Sequence, residues 1–515
     1  MKQCIKTALM LVLALVVCQS SWLNAEILTS YSKNDPLPMY TTLDPDTFLY
    51  TRTKLWMKGI PHPLGCSERF GFSLSPFGQF ADRGRDKCGN DVELGDINGR
   101  WFMIGLLMGG LPNGVTSLPP YLANAFANLF PNNTPGTVNS ETLVDPARGF
   151  GYFAIPMKYR KYGFRWEFNM YIASGFGLTF QGGVADICHK TCNHCIQQIL
   201  DCPPCASANI CTPANPTSQP TCQNQPKVCP RYINLTCNPL PTATAQTCGT
   251  IDTCTFKAPP DAFPNMSCPN VNRYLMFEVD NITREIGLCT ENFHKISLED
   301  LRLNLWWRQA FEVNRDRVSW PHFLIMPFFY VGGSVATGKE KRPNEVFGLP
   351  FGSNGHHSLY GAAGIDLDFI DTIEIGGQAG FTHFFRRSFC NYPVPTSQFQ
   401  SGIYPFQTDV SIQPGLNWFF SAKLAAYHFL ERLSFHFEYI FMHHEEDDID
   451  LCTCDSAFMT KPLEDRSDFK VQVANAALNY DISPNLGLGF LWQIPLAQRN
   501  AFKSSTIMFT FYATF

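Results

Sequence analysis

Beyond residue 25 the chain lacks any apolar run of about eighteen residues, so no ordinary helix in it can cross a bilayer. The best candidate, Phe323 to Val331, is too short and is broken by Pro327. Charge is scarce as well: 16% of the 515 residues are charged and the formal net charge is −5. So mild a balance gives no nucleic-acid partner. The sequence has no glycine-rich phosphate loop and no serine, histidine and acid set with family spacing. Its 12 histidines are scattered. Catalysis therefore has no sequence support, and neither a cofactor nor a metal centre is expected. Nothing along the chain reads as a domain linker either. What is abundant is aromatic: 44 Phe, 18 Tyr and 9 Trp, 14% together, at a mean hydropathy of −0.09. Many aromatics, average hydropathy and no spanning helix are what alternating strands produce.

Several segments show that alternation. Phe164, Trp166, Phe168 and Met170 alternate with Arg165, Glu167 and Asn169; Leu301, Leu303, Leu305 and Trp307 with Arg302, Asn304, Trp306 and Arg308. Ile365, Leu367 and Phe369 flank Asp366 and Asp368, and Ile373 and Ile375 flank Glu374. Phe435, Phe437, Tyr439 and Phe441 alternate with Ser434, His436 and Glu438; Leu486 to Ile494 repeats the pattern over Gly487 and Gly489. A soluble sandwich also alternates. Two features favour lipid: the apolar rows are rich in Phe, Trp and Tyr, and the connections alternate short with long. Tyr480 to Asn485, Leu430 to Arg432 and Phe369 to Thr372 are short; His443 to Asp465, Arg386 to Thr408 and Lys339 to Gly355 are long. Alternation and turn signals give about sixteen strands.

The ends agree. Residues 1–25 read as a secretory signal peptide, with Lys2 and Lys6 ahead of an apolar stretch from Ala8 to Val17. In the last eleven residues, Ile507, Phe509, Phe511, Ala513 and Phe515 fall on one face and Thr506, Met508, Thr510, Tyr512 and Thr514 on the other. This stretch resembles the closing strand of a bacterial outer-membrane β-barrel, although Ala513 stands where that family usually carries an aromatic. The expected fold is all-β: a transmembrane antiparallel β-barrel over residues 26–515, in the bacterial outer membrane, with loops on the cell surface. Phe70, Phe72 and Leu74 look like a strand, as does Trp101 to Met108, whereas the stretch 111–148 departs from strand grammar. Tyr121 to Phe130 is helix-compatible, either a constriction, an interfacial helix or a periplasmic piece, and strand parity points to the periplasm.

Twenty cysteines are too many for a reducing compartment. Residues 186–270 form a cysteine-rich insertion expected on the outer surface, with Cys188, Cys192, Cys195, Cys202, Cys205, Cys211, Cys222, Cys229, Cys237, Cys248 and Cys254. With Cys268, Cys289, Cys452 and Cys454 these are the disulfide candidates. Zinc-knuckle spacing in Cys192-x-x-Cys195 and Cys202-x-x-Cys205, near His189 and His194, offers a metal site instead. On an exported loop the compartment favours disulfides. The odd number in the insertion leaves cross-links to other chains open. A barrel with cysteine-rich outer loops resembles the major outer-membrane porins of chlamydia-type bacteria. That resemblance implies a passive porin, a homotrimer, and disulfide cross-links to itself or to other envelope proteins. The run His443 to Asp450 could hold a divalent cation but reads first as a solvated acidic loop. Sequons at Asn132, Asn234, Asn265 and Asn281 fit eukaryotic secretion, against which the terminal strand argues.

The inward candidates are Arg165, Glu167, Arg302, Arg308, Asp366, Asp368, Glu374, Lys423, Glu438 and Lys470. Charges of both signs on an inner wall set the field in a channel; alternatively they pair with one another and plug the interior. The expected function is passage of small hydrophilic solutes or ions, with outer-membrane lipid around the wall. A surface adhesin or cross-linked envelope protein anchored by the barrel is the alternative. A barrel-embedded hydrolase, drawing on His383, His443 and His444, is a third class.

Overall fold

The structure is a computed structural model that describes residues 69–96 (88 apart), 103–129, 134–135, 152–191 (174 apart), 197–199, 232–234, 275 and 278–515, except 291, 314–322, 370–372, 401, 431 and 484. The expected signal peptide, most of the 186–270 insertion and the sequons Asn132 and Asn265 lie outside these residues.

Twelve long strands follow one another as an antiparallel meander: β1 (Phe70–Ala81), β2 (Met157–Ala173), β3 (Phe176–Thr191), β4 (Leu301–Arg308), β5 (Phe323–Val335), β6 (Ser358–Asp368), β7 (Ile373–Phe384), β8 (Asn417–Leu430), β9 (Leu433–His444), β10 (Phe469–Ser483), β11 (Leu486–Arg499) and β12 (Ser505–Thr514). Each pairs with its sequence neighbours, and β12 returns to β1 with Gly71 opposite Thr514 and Phe80 opposite Ser505. The sheet is therefore closed, and no edge is left to be satisfied by solvent. The seam is tied to the last residue. Phe515 donates its N–H to Phe70 O and accepts from Phe70 N, both at 2.9 Å.

The count of about sixteen strands is corrected to twelve. Phe293–Leu298 and Leu301–Arg308 both pair with β3 and form one stave, which Phe311–Val313 extends against β5. Arg387–Pro393, Gln407–Gln413 and Asp448–Leu451 are strands within the long connections and make a small separate sheet. Within Trp101 to Met108, expected as a strand, the described residues Met103–Leu107 form a buried 3-10 turn instead. Alternation marks any half-buried strand; it does not say which sheet the strand joins.

One end of the barrel carries Phe70, Phe515 and the short connections, the other the long ones. At the long-connection end, helix α1 (Pro120–Leu129) and helix α2 (Val279–Glu285) pack with the turn Met103–Leu107 over a core that includes Leu122, Phe126, Ile282, Phe347, Leu349 and Ile403. The described part of the 111–148 region thus lies at the long-connection end, not at the short-connection end to which strand parity points. Among the described residues one stave rather than two precedes it, and the chain leaves β1 at the long-connection end.

The apolar rows face outward throughout. Phe72, Phe164, Phe168, Leu303, Ile365, Leu488, Phe509 and Phe511 are exposed, while Ser73, Glu167, Asn304, Asp366, Thr506 and Thr510 are buried on the opposite face. A one-residue slip would exchange the faces, so this division fixes the register. In β11, Pro495 has no N–H for the ladder, and the register with β10 skips Leu496 there.

Candidate functional site

The inner wall is built from the polar half of each alternation. Glu438 accepts from Gln378 Nε2 at 3.3 Å and Asn475 Nδ2 at 3.4 Å. Gln493 Nε2 donates to Asn475 at 3.1 Å, Thr506 Oγ1 to Gln493 at 3.4 Å and Gln79 Nε2 to Thr506 at 3.2 Å. Tyr159 closes the series, donating its O–H to Gln79 at 2.8 Å. A belt of hydrogen-bonded side chains thus runs around the interior from β7, past β8, to β2. Nearly all of it is buried. On β2 and β3, Gln181 Nε2 donates to Glu167 at 2.6 Å, Asn169 to the same carboxylate, and Thr179 to Asn169.

The charges form two groups. Towards the short-turn end, Arg308 Nη2 lies 2.8 Å from Asp366 and 3.4 Å from Glu374, and Lys423 Nζ lies 2.8 Å from each of the same carboxylates. Tyr427 donates to Glu374 at 3.2 Å. Between β4 and the stave segment before it, Glu299 accepts from Arg165 Nε at 2.7 Å and Lys161 Nζ at 2.6 Å. Aromatic faces complete the shielding: Arg165 sits 4.3 Å above Phe77 and Lys423 5.5 Å above Phe328. Trp306 fits beside Phe328 and Tyr330 because Gly177, directly opposite it, has no side chain; a Cβ there would lie 2.2 Å from the indole.

Of the sequence candidates, Arg165, Glu167, Arg308, Asp366, Asp368, Glu374, Lys423 and Glu438 are buried on the inner face. Arg302 shares their face, opposite the buried Gln181 and Ser334. Lys470 is corrected. Phe469 points inward and is buried, so Lys470 falls on the outer row, opposite His443 and the exposed Arg499. A charged residue at a strand end can sit on either face because the rim reaches water. Sequence reasoning missed Lys161, Glu299, Gln79, Asn475, Gln493 and Tyr427. Lys161 keeps phase with Arg165 and was readable; Glu299 sits between two strand segments, where alternation gives no face.

The disulfide expectation is also altered. Cys188, Cys452 and Cys454 are free thiols, as is Cys390. Cys188 points outward because its neighbours Ile187 and His189 fill the inner row. Cys452 and Cys454 are exposed beside the small sheet. Cys289 is disulfide-bonded. Cys192, Cys195, Cys202, Cys205, Cys211, Cys222, Cys229, Cys237, Cys248, Cys254 and Cys268 lie outside the described residues.

Among the described residues the histidines do not converge on a nucleophile. His383 meets Phe385 edge-on at 5.7 Å. His444 is held between Asn417 and Asp447 and stacks on Phe469 at 4.8 Å. Its acidic neighbours are used in ion pairs: Asp448 and Asp450 with Arg386, Glu446 with Lys461. In the cap, Glu285 accepts the Tyr121 N–H at the start of α1, at 3.1 Å, and burial holds its pKa above the usual carboxylate value. Beside the barrel mouth, burial lowers the pKa of His356, while its Nδ1 contact to Phe385 O, at 2.9 Å, acts the other way.

The sequence matches no known family and no curated protein. Among solved structures it resembles an outer membrane channel from Pseudomonas putida F1 at 7% identity and a TM-score of 0.42, over 88% of this chain and 97% of that one. It also resembles the transport unit of the autotransporter AIDA-I from Escherichia coli, at 7% identity and a TM-score of 0.29 over 90% and 96% of the two chains. The translocator domain of the autotransporter NalP from Neisseria meningitidis is similar at 5% identity and a TM-score of 0.25, over 90% and 94%. Likeness this loose assigns neither a family nor a function.

Proposed function

We propose that the protein is a bacterial outer-membrane β-barrel that passes small hydrophilic solutes or ions by passive diffusion. The observation that carries this reading is the division of the wall: an outer face of exposed Phe, Leu, Ile and Trp, and an inner face joined into a polar belt from Gln378 to Tyr159. Apolar rings outward suit hydrocarbon, and a polar inner face suits water. Buried ion pairs are weak contributors to stability compared with apolar packing of the same volume. A barrel needing only an anchor has no need of Arg308, Lys423, Asp366 and Glu374 inside; a conduit does. Twelve staves make a narrower cylinder than sixteen, and the cap over the long-connection end covers it. Conduction on this reading is small.

A second reading, a barrel that only anchors surface loops as an adhesin or cross-linked envelope protein, is favoured by the way the inner charges neutralise one another, Arg308 and Lys423 with Asp366 and Glu374, and Arg165 and Lys161 with Glu299. The cysteine-rich insertion, its disulfides, an exported precursor and a homotrimer fit either reading. Planar-bilayer recording from refolded protein separates them. Discrete conductance steps, altered by Glu438→Gln, support the channel; a silent bilayer with confirmed insertion leaves the anchor.

A further inference from the structure

His443 on β9, Lys470 on β10 and Arg499 on β11 are directly opposite one another across neighbouring strands, on the outer face of the long-connection rim. The row continues through Trp418, whose ring meets His443 edge-on at 5.3 Å, to Phe381. Just below, Phe441 stacks on Phe420 at 5.3 Å and Tyr439 meets Phe420 at a tilt, 6.1 Å away. This is the order of a membrane interface: an aromatic belt with cations above it. Farther round the same rim, Lys158 on β2 and Lys190 on β3 are directly opposite, exposed and outward, with Arg160 beside them.

Like charges placed opposite each other across a strand pair repel. Several basic side chains elsewhere at this end are neutralised: Lys87 by Asp468, Arg386 by Asp448 and Asp450, Arg387 by Glu340, Lys503 by Asp91. Among the described residues, no carboxylate forms an ion pair with Lys470, Arg499, Lys158, Arg160 or Lys190. We propose that these two outward basic patches, one of Lys470 and Arg499 with His443 and one of Lys158, Arg160 and Lys190, bind the phosphate-bearing headgroups of lipids in the leaflet at the long-connection end. The inference rests on the membrane reading above. A guanidinium beside an ammonium suits a phosphate, giving directed and point-charge contacts together. The apolar belt beneath receives the acyl chains.

The test uses full-length protein refolded in a neutral maltoside detergent, with folding confirmed by heat-modifiable gel mobility. Phosphatidylglycerol is titrated in, and bound lipids are counted by native mass spectrometry. K470Q/R499Q weakens binding at its patch about thirtyfold, as two interfacial charges should, and K158Q/K190Q does the same at the other. K470R/R499K restores wild-type binding, and millimolar inorganic phosphate does not displace the lipid. Unchanged phosphatidylglycerol binding in both glutamine variants, or displacement by inorganic phosphate alone, overturns the proposal. A chain that forms no heat-modifiable barrel in detergent defeats the membrane reading instead, which keeps the two failures distinct.

Discussion

Arg308 and Asp366, 58 residues apart in sequence, are joined at 2.8 Å inside the barrel with both side chains all but hidden from solvent. The pair is shared: Asp366 also binds Lys423, and Arg308 also reaches Glu374. Removing one member leaves a buried charge without its counterpart. Arg308→Ala is expected to cost about 3–5 kcal/mol, read as a lower temperature of heat-modifiable unfolding in detergent. Replacing Arg308 and Asp366 together with apolar residues should cost less than the two single changes summed, a coupling measured by a double-mutant cycle.

Val331, half-exposed near the middle of β5, points outward. Val331→Arg should destabilise the barrel by about 2–4 kcal/mol in lipid bilayers. A surface arginine on a water-facing sheet would change stability by less than about 0.5 kcal/mol. Refolding titrations in vesicles decide between lipid and water on this face.

His356 lies in the connection before β6, buried against Phe389. Its folded pKa lies below the unfolded value of 6.5. Above that pH both states are neutral, so the residue adds no pH dependence. As pH falls below 6.5, the unfolded state takes up the proton first, and stability is lost until the folded pKa is passed. His356→Gln should flatten the acid limb of a thermal-unfolding profile measured between pH 7 and pH 4.

Gly175, in the turn between β2 and β3, has φ +84°, and a Cβ there would lie 2.3 Å from Arg308 O. The turn is also tied by the Arg308 N–H to Gly175 O at 2.9 Å. Gly175→Val should cost more than the roughly 1–2 kcal/mol of left-handed strain alone, because the clash adds to it. Comparison with Gly175→Ala by chemical unfolding in detergent measures the size dependence.

Cys390, Cys452 and Cys454 are exposed free thiols at the long-connection end. If that end faces the medium, an impermeant maleimide should label them on intact cells expressing the chain. Labelling seen only after lysis would reverse the proposed orientation.

Much of the wall was legible before any coordinates. The apolar rows at Phe164–Met170, Ile365–Phe369 and Ile507–Phe515 all face outward, since a two-residue period on a closed sheet leaves only two faces to choose between. The buried carboxylates Asp366, Glu374 and Glu438 followed from the same phase. The described residues of helix-compatible Tyr121 to Phe130 became α1, while those of Trp101 to Met108 did not become a strand; a short apolar run is ambiguous until its neighbours are known.

The sequence by itself determined that this chain closes a strand wall with a greasy exterior and a polar interior, because side-chain period is a local property. Only the tertiary structure decided that twelve staves close it, that Lys470 belongs outside, that Lys161 and Arg165 share Glu299, and that α1 caps the long-connection end. Each of these depends on which distant strands become neighbours, and no local pattern encodes that choice.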